Sequence, residues 1–159
     1  MTLLDKEPVK RVEKCLKEFD QTQKVIILDS SARTASDAAS SLSCEIGAIV
    51  KSLLFKTENN FILCLIAGDK KASLNKIKKM LNIKDVSMSS ADDVKNITGF
   101  TIGGVSPIGH LNKIDIFIDN SLKRFNNLYA AAGHPNCIFK INFTDLQKIS
   151  KGSIRELTE

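Results

Sequence analysis

Two almost wholly apolar runs, residues 48–55 and 61–67, are joined by the polar segment Lys56-Thr57-Glu58-Asn59-Asn60. Short apolar runs bounded by turn residues read as strands, and two this close in sequence form a β-hairpin. The rest of the fold has to be built around that hairpin. Val9, Val12, Leu16 and Phe19 recur at helical spacing behind Pro8, a favourable first-turn residue, and predict an amphipathic opening helix. Residues 25–28 predict a short buried strand. Thr34 with Asp37 resembles a capping box and opens a short helix. Ser73 precedes a helix carrying Leu74, Ile77, Met80 and Leu81 on its inner face, and Ser90 with Asp93 opens another. Residues 114–118, 128–131 and 137–141 read as further strands. Thr144 is expected to cap a last helix that Gly152 ends. There is no internal repeat, low-complexity segment or linker. Interspersed strands and helices of this kind predict an α/β or α+β class with a mixed sheet, as one domain over residues 1–159.

Charge narrows the partners without choosing one. The net charge of +5 and a pI near 9.0 permit a polyanion such as RNA. Lys70, Lys71, Lys76, Lys78, Lys79 and Lys84 gather around the third helix, as a solvated face or as a contact for an RNA backbone. Cys15, Cys44, Cys64 and Cys137 form no CxxC pair and have no metal-ligand spacing with His110 or His134. They are expected to be reduced, mostly buried thiols, and neither metal nor cofactor is indicated. The N-terminus has no basic region followed by an apolar run, and no stretch approaches membrane-spanning length, so a cytoplasmic, membrane-free protein is expected.

Residues 99–110, Gly-Phe-Thr-Ile-Gly-Gly-Val-Ser-Pro-Ile-Gly-His, hold four of the eight glycines and one of the three prolines. Glycine lets a ligand approach the main chain, and proline stiffens it. Such a loop either presents backbone N–H groups to a carbonyl, carboxylate or phosphate oxygen, or is a plain structural turn. Lys51 is the second feature. Alternation places it on the face of Ile49, Leu53 and Phe55, where an ammonium either opens into a pocket or snorkels to water. The third is Ala130-Ala131-Ala132-Gly133-His134-Pro135-Asn136, whose small residues leave room beside an accessible histidine. There is no GxSxG elbow, P-loop or dinucleotide fingerprint, and no carboxylate pair in the glycine-rich segments. An enzyme built this way leans on backbone polarisation, positioning and a water, which suits an activated bond such as an ester.

In this order and spacing, the segments beginning at Ala32-Arg33-Thr34, Ile49-Val50-Lys51, Thr98-Gly99-Phe100, Ile118-Asp119 and Ala131-Ala132-Gly133-His134-Pro135 resemble the YbaK / prolyl-tRNA synthetase-associated editing domain family. The likeness runs over residues 9–157. It implies a compact fold with a mixed, partly barrel-like sheet and flanking helices. It also implies hydrolysis of the ester between a wrong amino acid and the terminal adenosine of a tRNA, usually proline tRNA, by a free-standing protein with prolyl-tRNA synthetase as a possible partner.

Carried over by position, Lys51 matches the pocket lysine that positions the terminal nucleotide or aminoacyl group. Gly103 and Pro107 frame the GxxxP loop that holds the aminoacyl carbonyl, with the substrate's own 2′-hydroxyl helping to activate water. Ser52, Gly104, Val105, Ser106 and Gly109 are expected beside the substrate, as are Gly133 and His134, with Thr34 and Asp119 around the pocket. The Ala-Gly-His-Pro text departs from relatives that remove cysteine. Alanine, serine, threonine or a small non-protein amino acid therefore fit as well. Two rivals remain: a non-catalytic module binding a tRNA end or a partner, and a hydrolase of another small ester.

Overall fold

A computed structural model describes residues 2–29 and 34–159. The opening helix, α1 (Glu7–Phe19), has Pro8 in its first turn and buries Val9, Val12 and Leu16 completely. Each of those side chains contributes roughly 1.5–3 kcal/mol by leaving water. Phe19, at the end of the stripe, stays 38% exposed. There follow β1 (Ile26–Ile27), α2 (Ala35–Leu42), β2 (Ile49–Thr57), β3 (Phe61–Ala67), α3 (Leu74–Leu81), β4 (Val86–Met88) and α4 (Ala91–Thr98). The chain ends with β5 (Asp115–Asp119), β6 (Leu128–Ala131), β7 (Cys137–Ile141), α5 (Phe143–Ser150) and β8 (Ser153–Arg155).

The predicted hairpin is the middle of one mixed sheet, ordered β1-β7-β6-β2-β3-β5-β8, with β4 also paired to β2. β2 and β3 are antiparallel from Val50↔Ala67 to Lys56↔Phe61, whereas β3–β5, β5–β8 and β2–β6 are parallel. Thr34, Ser73 and Ser90 cap their helices as expected, accepting from the N–H groups of Asp37, Lys76 and Asp93. The last helix corrects the sequence reading. Asn142, not Thr144, is its cap, because β7 ends at Ile141 and the next side chain able to cap takes the Asp145 N–H. That helix closes on Lys151, left-handed at φ +59°, one residue before Gly152. Leu74 is 40% exposed rather than inward, and the strand expected at 25–28 contracts to Ile26–Ile27. The strands β4 and β8 were not anticipated.

The sheet is forked. On the side of β2 away from β3, β6 pairs only with Ile49 and Val50, and β4 only with Phe55–Thr57. Residues 51–54 face no strand there, although the Ser89 N–H still reaches the Leu54 carbonyl at 3.1 Å. In an extended strand, alternate residues aim their backbone groups to the same side. Ser52 therefore presents its N–H and C=O along the open edge, two residues before Leu54. One face of β2, that of Ile49, Leu53 and Phe55, packs toward α2 and α3. The other, that of Val50 and Leu54, meets α1, α4 and the glycine-rich loop in the main core.

Candidate active site

The fork encloses a cavity of about 460 Å³. Because the sheet is split there, both faces of β2 line it, with Lys51 and Leu53 from one and Val50, Ser52 and Leu54 from the other. Thr34 and Ala38 come from the start of α2, Met88 and Ser89 from β4, Ile102, Gly103 and Val105 from the glycine-rich loop, and Tyr129 and Ala131 from β6.

Lys51 is the only charged side chain among the described lining residues. It is half-buried, and its Nζ donates to the Lys70 carbonyl at 2.6 Å. Burial lowers its pKa from the ordinary 10.5, the Asp69 carboxylate opposes that, and the Lys71 ammonium adds to it. An ammonium has three donors, so two remain for ligand oxygens. The turn bearing the Lys70 carbonyl is fixed by Asp69, which accepts both arms of the Arg124 guanidinium at 2.7 and 2.9 Å. An exposed pair of this kind stabilises by about 0–1 kcal/mol; its use is geometric.

The glycine-rich loop is held from behind by α1. Arg11 donates through Nε to the Gly109 carbonyl at 3.0 Å and through Nη2 to the Gly99 carbonyl at 2.9 Å, with its guanidinium 5.0 Å over the Phe100 ring. His110 Nε2 lies 2.7 Å from the Ser106 carbonyl, which can only accept, so that nitrogen carries the proton. Gly104 meets the third sequence feature: a Cβ there would come within 2.9 Å of the His134 backbone nitrogen. Only glycine lets the two loops touch main chain to main chain.

The expected site residues therefore divide. Lys51, Ser52, Thr34, Gly103 and Val105 share the cavity wall. Gly104, Ser106, Pro107 and Gly109, in the rest of the glycine-rich loop, and Gly133 and His134, behind Gly104, are not part of that wall. His134 Nδ1 accepts the Asn136 N–H at 3.0 Å. Asp119 is also outside the wall and fully buried. It accepts from the Leu157 N–H at 2.6 Å, the Ser121 N–H at 3.1 Å, Thr158 Oγ1 at 3.2 Å and the Ser121 hydroxyl, tying β5 to the C-terminal segment. Ala32 and Arg33 lie outside the described residues. Met88, Ser89 and Tyr129 were missed; Met88 is 58% and Ile102 64% exposed at the rim of the cavity. Among the described residues no group of three or more His, Cys, Asp or Glu is arranged to hold a metal, and no helix is long and apolar enough to cross a membrane.

Residues 29–149 match the model of the aminoacyl-tRNA editing domain. A proline–tRNA ligase of Caldicellulosiruptor bescii is 28% identical over 96% of this chain, which spans only 26% of the ligase. The uncharacterized protein YwhH of Bacillus subtilis is 29% identical over 89% of this chain and 90% of its own. Among solved structures, a protein proposed to be a trans-editing enzyme for prolyl tRNA synthetase superposes with a TM-score of 0.90 at 30% identity, covering 97% of this chain and 98% of the other. The chain belongs to the aminoacyl-tRNA editing domain family.

Proposed function

We propose that this protein removes a small wrong amino acid from mischarged proline tRNA, in trans, by hydrolysing the ester to the terminal ribose. The observation that carries this reading is the fork in the sheet, where one cavity is bounded by Lys51 on one side and the Gly103–Val105 backbone on the other. In this reading Lys51 donates its free N–H bonds to oxygens of the ester or terminal nucleotide, and the loop fixes the acyl group. The described wall holds no Asp, Glu, His or Cys that could serve as a general base. With Lys51 acting as a donor, the resemblance to the editing family implies that the substrate's own 2′-hydroxyl helps to activate the water, which is adequate for an ester and inadequate for a stable amide. Similarity to prolyl-tRNA ligases and to a proposed trans-editing enzyme for their synthetase supports proline tRNA as the partner.

The test is a panel of proline tRNAs charged with alanine, cysteine, serine, threonine or proline, with Lys51→Ala alongside. The expected result is rapid loss of at least one wrong amino acid, prolyl-tRNA spared, and a fall of at least about 100-fold in the variant, the scale of a lost transition-state donor. Bound tRNA with its ester intact would instead identify a binding module.

A further inference from the structure

Which amino acid is removed can be argued from two side chains that the deacylation chemistry leaves unused. Among the described residues, Ser52 Oγ and Ser89 Oγ are the buried side-chain polar atoms without a hydrogen-bond partner. Buried polar atoms are rarely left unpaired, because each forfeits its hydrogen bonds to water. Both serines line the same cavity, but each Oγ is turned away from its open space, so pairing with a substrate requires rotation about χ1. They also share a face: Ser89 bonds to Leu54 across the β2–β4 edge, and Ser52 lies two residues from Leu54 along β2. That face is opposite to the one bearing Lys51, and it is closed behind by the buried core residues Val50, Leu54 and Val94, with Val105 packed against them.

A tRNA has to keep its polynucleotide in solvent, so only its aminoacylated end can enter the cavity. With Lys51 on the opposite face taking the ester or terminal nucleotide, the amino-acid side chain is the group left for the face of Ser52 and Ser89. Resting on the deacylase reading above, we propose that Ser52 and Ser89 form the side-chain subsite and select a small hydroxyl-bearing amino acid, serine first. A seryl hydroxyl donates to one protein hydroxyl while accepting from the other. Alanine offers neither bond, and the proline ring adds bulk with no group to pair. Sites built to hydrogen-bond a substrate hydroxyl reject analogues lacking it far more strongly than apolar pockets reject a methylene.

The experiment measures kcat/KM for proline tRNA charged with serine, alanine or proline, using wild type, Ser52→Ala, Ser89→Ala and the double variant, each checked by thermal melting. The expected result is a seryl-over-alanyl preference of at least about tenfold in wild type, about 1.4 kcal/mol, collapsing toward one in the double variant. Should the double variant fail to fold, the single variants carry the test, each narrowing the ratio. A wild-type ratio of one or less overturns the proposal. So do variants that slow every ester by the same factor, which would assign the hydroxyls to the ribose or to packing. If wild type cleaves none of the esters, the deacylase reading has itself failed and the selectivity falls with it, an outcome distinct from fast but indiscriminate hydrolysis.

Discussion

His110 is a titrating group placed in the loop scaffold rather than in the cavity. Its ring donates to the Ser106 carbonyl and meets Phe100 edge-on, with centroids 5.9 Å apart. Burial pushes its pKa below the ordinary 6.5; the Ser106 bond opposes that and the Arg11 guanidinium reinforces it. A folded-state pKa below the unfolded value means that the unfolded chain takes up the proton first on acidification. The stability is complete above about pH 6.5 and drains away as pH falls from there through the folded-state value. Wild-type Tm is therefore expected to drop between pH 7.5 and 5, at about 2–4 °C per kcal/mol for a chain of this size. His110→Gln should start lower, because it loses the ring contact, yet fall less steeply. Thermal melts at three pH values check this, and parallel slopes for the two proteins would acquit His110.

Elements decide how the loop is held, and α1 is the one that holds it. Arg11→Met keeps the aliphatic stem while deleting two charge-assisted hydrogen bonds and the stack on Phe100. A loss of about 2–4 kcal/mol is expected, together with a fall in kcat at temperatures where the variant is still folded, because Gly103 and Val105 lose their backing. Unchanged kcat in a folded variant would show that the loop is rigid without α1. This scale also explains what could be read in the sequence. The hairpin, the helix stripes and the lysine in an apolar strand are local patterns; the resemblance added Ser52, Gly103 and Val105, and the structure places these three and Lys51 around one cavity. The fork was not legible, because it depends on where β6 and β4 leave β2, a matter of pairing between residues about 30 positions apart for β4 and 80 for β6. Ser89 was hidden for the same reason, at the end of a three-residue strand with no pattern of its own. Asp119 was misplaced because its partners, Leu157 and Thr158, arrive through the unforeseen β8.

At the scale of the whole molecule the remaining question is how a small cavity engages a large polyanion. The turn at Gly68, part of the cavity wall, leads through Lys70 and Lys71 into α3, so the mouth of the site opens beside the lysine-rich surface. Lys76 is occupied there, donating to Glu156 at 2.7 Å and to the Thr158 carbonyl at 2.6 Å. Lys71 and Lys79 are exposed and Lys78 half-exposed, within a chain of net charge +5. If these three meet tRNA phosphates, counterion release sets the salt dependence, with a logarithmic slope of roughly −0.9 per phosphate neutralised. Raising monovalent salt from 50 to 200 mM should then weaken tRNA binding by about 40-fold. Substituting all three lysines by alanine should flatten that slope toward zero. The same substitutions should leave hydrolysis of a short aminoacyl-nucleoside ester salt-insensitive, as in wild type, because that substrate occupies the cavity without crossing α3. Binding titrations of tRNA at four salt concentrations, run beside turnover of the short ester, separate the two surfaces. A steep slope that survives the triple substitution would move the polynucleotide to another face of the molecule while leaving the cavity chemistry where it is.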